Sequence, residues 1–174
     1  MTQSDHLRDD EIDVRVEGTD WPPCIEGVRP TALVRIAVVA TLEKSGPDGA
    51  VEVSVLLTGA EAVRHLNRRY RGRDMPTNVL AFAVQDDDTD SVSLSISPMP
   101  IGDIVIAGSV CREEAAAQGK SLADHVRHLA VHGTLHLLGY DHEAVDEAEC
   151  MEGLERDILA TLGVSDPYGA SAVA

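Results

Sequence analysis

The chain has 174 residues, 44% hydrophobic but only 3% aromatic, with a net charge of -16 from 14 basic and 30 acidic side chains. One domain accounts for that length, and its core must be built chiefly from Val, Leu, Ile and Ala. Such a charge repels nucleic acid and anionic membranes at long range, so any RNA contact needs a local concentration of cations.

Residues 1–10 read as a flexible acidic tail. Ile12, Val14 and Val16 alternate with charged residues, which predicts a first strand. Apolar residues at helical spacing predict a helix over 28–44, with Pro30 in its first turn. A Gly- and Pro-containing turn follows, then a strand over 51–57. Thr58 is placed as an N-cap with Glu61 three residues on, opening a helix to about Arg71. Residues 78–84 form the next strand candidate. The polar stretch 85–100 reads as a surface loop, followed by an apolar strand over 101–107 and a short helix over 109–118. Ser121 caps a helix over 122–138 that Gly139 ends. A last amphipathic helix covers 144–162, and 164–174 reads as a second flexible tail. The mixed order of elements predicts an α+β fold, a single domain over 11–163 with a small mixed sheet packed against helices.

The three cysteines, Cys24, Cys111 and Cys150, are odd in number and contain no close pair. That argues against a disulfide framework and suits a reducing cytosol. The N-terminus lacks the pattern of a signal peptide. The longest purely apolar run, Ile36 to Ala40, is far too short to span a bilayer. The expectation is a cytoplasmic chain with no membrane partner.

The segment from His132 to His142 carries the clearest chemistry. His132 and His136 are four apart on a predicted helix, so their rings share a face and can reach one ion. On a continued helix His142 would lie about 15 Å further on and off that face. A left-handed bend at Gly139 can bring it back. Three histidine ligands leave the fourth tetrahedral position for water, the catalytic rather than the structural arrangement of zinc. One zinc ion on His132, His136 and His142 is therefore expected. His128 shares a face with His132 but lies about 12 Å from His136 along the axis, and is read as a neighbour of the site rather than a ligand.

The spacing H-x3-H-x2-G-x2-H also matches the metzincin metalloproteases. Those enzymes place a glutamate base directly after the first histidine. Here that position is Gly133, which argues against peptidase chemistry.

Arg64, Arg68, Arg69, Arg71 and Arg73 concentrate cations at the end of a predicted helix in an otherwise acidic chain. Guanidinium groups can grip phosphate through paired hydrogen bonds; the same cations also suit a helix C-terminus.

The blocks 132–142 (H-G-T-L-H-L-L-G-Y-D-H), 66–82 (L-N-R-R-Y-R-G-R-D-M-P-T-N-V-L-A-F) and 102–106 (G-D-I-V-I) resemble, in order, the signatures of the YbeY endoribonucleases. Ala81 departs from the family's usual serine, and the 85–100 loop is longer than usual. The resemblance implies a zincin-like domain with its metal site at the C-terminal end of a helix, holding zinc on His132, His136 and His142. It implies a functional arginine at Arg71. The implied activity is that of a hydrolase cleaving single-stranded RNA, in ribosomal RNA maturation at the small-subunit end and in ribosome quality control. Small-subunit proteins and an assembly GTPase are the implied partners, with no DNA substrate. In that chemistry Asp141 and His128 are candidate proton acceptors, and Tyr70, Phe82 and Tyr140 candidate stacking surfaces for a base. A zinc-stabilised assembly factor without catalysis is the alternative, as is a zinc peptidase, disfavoured by Gly133.

Overall fold

The computed structural model describes residues 10–84 and 97–169. The tail residues 1–9 and 170–174, and most of the expected 85–100 loop, lie outside them. The described elements are β1 (Glu11–Val16), α1 (Pro30–Ser45), β2 (Val51–Thr58), α2 (Ala60–Arg71), β3 (Val79–Ala83), β4 (Met99–Ala107), α3 (Gly108–Gln118), α4 (Leu122–Leu137) and α5 (Val145–Thr161).

The four strands form one mixed sheet in the order β1-β2-β4-β3. β1, β2 and β4 are parallel, and β3 is antiparallel to β4 at the edge. Strand alternation divides the core. Ile12, Val53, Val55, Ile104 and Ile106 meet α1 and α4 in the main cluster. Leu80, Val105 and Ala107 point the other way and meet Val63 of α2 in a smaller one. α4 and α2 thus lie on opposite faces, with β3 as the edge between them.

Two sequence expectations are corrected. Thr58 does not cap α2: it stays in the ladder opposite Ala107, and Gly59 takes the N-cap position with no side-chain hydrogen bond. The Thr58 carbonyl is also engaged, accepting from Trp21 Nε1 at 3.0 Å. At the other boundary, β4 begins at Met99 rather than 101, because Met99 N–H donates to the Ala50 carbonyl and pairs beside Val51.

Residues 164–169 form no loose tail. Val164 is buried, and its N–H donates to the Leu159 carbonyl. Lys120 Nζ donates to the Pro167 carbonyl at 3.0 Å, and Arg156 Nε to Asp166 Oδ1 at 3.2 Å. The segment is strapped across α4 and α5 by contacts with side chains far away in sequence.

β4 approaches α4 closely at Gly102. Its φ of 142° lies where side chains are disfavoured, and a Cβ there would sit 2.2 Å from the Phe82 carbonyl oxygen and 2.8 Å from a Leu137 methyl. The β2–β4 register skips one residue beside it, at Ile101. Glycine at this bulge lets the end of α4 press onto the sheet.

Candidate metal centre

α4 begins as its sequence predicts: Ser121 Oγ accepts from Asp124 N–H at 3.1 Å. Its end is a Schellman turn. Gly139, at φ 92°, donates its N–H to the His136 carbonyl, and Tyr140 N–H donates to the Leu135 carbonyl. The chain reverses there and returns His142 to the face that carries His132 and His136.

The three rings converge. Ring centroids are 4.6 Å apart for His132 and His136, 5.2 Å for His136 and His142, and 5.6 Å for His132 and His142. One nitrogen from each lies within 4.8 Å of the others. The Nε2 atoms of His132 and His136 are 3.0 Å apart. Two nitrogens on one tetrahedral zinc at about 2.0–2.1 Å are roughly 3.3 Å apart, so the donor set suits a single ion with little movement. The other nitrogen of His132, Nδ1, is 2.5 Å from Glu155 Oε1. Burial, followed by the charges of His132 and His142, pushes the His136 imidazole below its ordinary pKa. A neutral ring is the form that ligates metal.

Glu155 was not foreseen. It lies on α5 with a fully buried side chain, and besides His132 it accepts the Tyr168 hydroxyl on Oε2. His128 Nε2 stands 3.5 Å from the same oxygen. Burial alone would raise this carboxyl, but hydrogen bonds from His128, His132 and Tyr168 outweigh it and hold it at about 2. Burial, then the bond to Glu155, pushes the Tyr168 phenol well above its ordinary range. The sequence did hold a signal: Glu155 falls on the stripe of Met151, Ile158 and Leu159 that α5 buries. A lone acid on an apolar stripe needs a partner.

Gly133 faces the sheet rather than the ring cluster. A Cβ there would stand 3.0 Å and 3.3 Å from Ile104 Cγ2 and Cδ1, and 3.4 Å from Val79 Cγ2. The position that carries the peptidases' base is closed by packing as well as by residue type.

Arg71 ends α2 on the opposite side of the sheet. It is exposed, and its side chain makes no hydrogen bond, ion pair or ring contact among the described residues. The structure does not bring it into contact with the histidines. Its neighbours are more committed: Arg64 Nε donates to Asp74 Oδ1 at 2.8 Å, and the Arg69 guanidinium lies 5.4 Å from the Tyr70 ring centroid. Tyr70 is exposed and meets Phe82 edge-to-face at 5.2 Å. Asp141 accepts from the His142 N–H, orienting that turn. A cavity of about 280 Å³ opens beside His132, between the start of β3 at Asn78 and Val79 and the α4 face carrying His128.

The model of the endoribonuclease YbeY family matches residues 25–163. This chain belongs to the YbeY family. It is 50% identical to the endoribonuclease YbeY of Paramagnetospirillum magneticum over 135 residues, covering 78% of this chain and 82% of that one. With the Azorhizobium caulinodans endoribonuclease YbeY it shares 43% identity over 162 residues, 93% and 98% of the two chains. Among solved structures, that of TM1509 from Thermotoga maritima superposes with a TM-score of 0.54 at 23% identity, covering 91% of this chain and 99% of that one. That likeness bears on the fold. No helix among the described residues is long and apolar enough to cross a membrane.

Proposed function

We propose that this YbeY-family chain is a zinc-dependent, single-strand-specific endoribonuclease of the cytoplasm. Its work is maturation of the small-subunit ribosomal RNA end and ribosome quality control. Small-subunit proteins and an assembly GTPase are its partners on this reading. The observation that carries the proposal is the convergence of His132, His136 and His142 on one point, in a chain whose relatives bear the name endoribonuclease.

The three imidazoles are the metal ligands. His132, His136 and His142 would hold the zinc, which would supply Lewis acidity and a water acidic enough for hydrolysis near neutral pH. The cavity between β3 and α4 takes the substrate strand beside His132. Because β3 is the sheet edge, a strand wrapping round it reaches the α2 side, where Arg71 grips one of its phosphates. Arg71 is the proposed catalytic cation because it stands where the family resemblance implies a functional arginine, and it is exposed to a passing strand. Exposed Tyr70 lies next to it and offers a face for a base. The closed position at Gly133 disfavours the peptidase reading.

The test uses purified full-length protein and one labelled RNA in single-stranded and duplex form. Chelation should abolish single-strand cleavage, added zinc should restore it, and the duplex should persist throughout. Arg71→Ala should lower turnover of dilute RNA about 10-fold or more with bound zinc unchanged, the scale of a lost charge-assisted phosphate contact. Cleavage that survives exhaustive chelation would overturn the metal-dependent reading. Wild-type turnover in Arg71→Ala would remove that residue from the mechanism.

A further inference from the structure

His132 has two ring nitrogens, and only one can serve the shared point. Which nitrogen carries the proton in a neutral imidazole is set by the partner of the other. Nδ1 sits 2.5 Å from a fully buried carboxylate oxygen of Glu155. That spacing is too short for two ligands of one tetrahedral ion, which are roughly 3.3 Å apart, and fits a shared proton. A second cation between His128, His132 and Glu155 is thereby disfavoured, although those residues also lie together.

The carboxylate is itself held. Its other oxygen accepts the Tyr168 hydroxyl. Tyr168 belongs to the strapped segment: its N–H donates to Asp166 Oδ1 at 2.9 Å, and its ring lies 5.4 Å from the Arg156 guanidinium and 5.5 Å from the His128 ring. Lys120 fixes the neighbouring Pro167 carbonyl from the turn before α4.

We propose that Tyr168 and Glu155 are positioning residues, a buried relay that holds His132 as its Nδ1–H tautomer and so presents Nε2 to the metal. The C-terminal strap is then a part of the metal centre, built by a segment with no ligand of its own. The proposal rests on the reading of the three histidines as metal donors, and its decisive readout needs neither RNA nor zinc.

The experiment compares the full-length wild type, Glu155→Gln and Tyr168→Phe. Tyr168→Phe deletes one hydroxyl and keeps the ring against Arg156 and His128, so it remains informative if Glu155→Gln fails to fold. Nitrogen-15 NMR of the histidine rings, on metal-free protein at pH about 8, reads the tautomer above the ordinary histidine range. The wild-type His132 should be predominantly Nδ1–H, and both variants should show an increased Nε2–H fraction. Competition with a chromophoric chelator reads zinc affinity. It should weaken 10–100-fold in Glu155→Gln, the usual effect of removing a ligand's hydrogen-bond partner. Tyr168→Phe should weaken it in the same direction by less. A lowered melting temperature with wild-type tautomer and wild-type zinc affinity would mean that the residues merely support the fold, and would overturn the relay. Absence of RNA cleavage by the zinc-loaded wild type, with the tautomer shift intact in the variants, would count against the nuclease reading and leave the relay standing.

Discussion

Replacing Gly133 with Ala tests how tightly α4 is seated on the sheet. In an open helix the change stabilises by roughly 0.5–1 kcal/mol, because glycine loses more backbone freedom on folding. Here the new methyl would meet Ile104 Cγ2 at 3.0 Å, with Ile104 Cδ1 and Val79 Cγ2 next. Ile104 is 1% exposed and packed on all sides, so it cannot swing away. Overpacking of this kind costs about 1–3 kcal/mol. The packing term outweighs the helix term, and the net expectation is a loss of about 1 kcal/mol, or about 2–4 °C in melting temperature for a chain of this length. Urea and thermal unfolding of the metal-free protein read it without interference from zinc. In an Ile104→Ala background the same replacement should become neutral or stabilising, because the methyl then has room. A Gly133→Ala variant more stable than the wild type would refute the packing argument. The lack of a side chain at 133 would then have to be explained by residue type alone.

Gly102→Ala forces a side chain into a disfavoured φ of 142° and against the Phe82 carbonyl, so it should cost at least about 3 kcal/mol or prevent folding; near wild-type stability by urea unfolding would contradict the bulge geometry. Burial, and then the charge of Glu114, pushes the Cys111 thiol up to about 12, whereas Cys24 and Cys150 are exposed. A thiol reagent at pH 8 should therefore titrate two groups in the native protein and the third only on unfolding; three fast groups would place Cys111 wrongly. Glu155 is held at about 2, below its ordinary value, so its contribution to stability is complete above about pH 4.5 and is lost as pH falls toward 2. The stability gap between wild type and Glu155→Gln should shrink over that window by a few kcal/mol; a gap constant from pH 6 to 2 would contradict the depressed carboxyl.

Much of the centre was legible in the sequence because its geometry is local. His132 and His136 share a helical face by spacing alone, and Gly139 supplies a bend whose hydrogen bonds are all within a few residues. The strands and helices were likewise readable from period, with errors only where tertiary pairing decides. Thr58 looks like a cap until Ala107 claims it for the ladder. Glu155 was hidden among Glu147, Glu149 and Glu152, which make α5 resemble a solvated acidic helix, and only its place on the buried stripe sets it apart. Tyr168 lay beyond reach for the same physical reason: its anchors, Lys120 and Arg156, are 47 and 12 residues from Pro167 and Tyr168, and no local pattern announces a strap. Arg71 was singled out by the resemblance, and the packing of α2 on the sheet face away from α4 is a fact only the fold supplies.

The most direct test of the account is cleavage of one labelled single-stranded RNA by the wild type and by His136→Ala, purified side by side with metal content measured on both. The account predicts about one zinc per wild-type chain with RNA cleavage, and loss of both in the variant. Equal cleavage by the two proteins, or none by a zinc-loaded wild type, would contradict it.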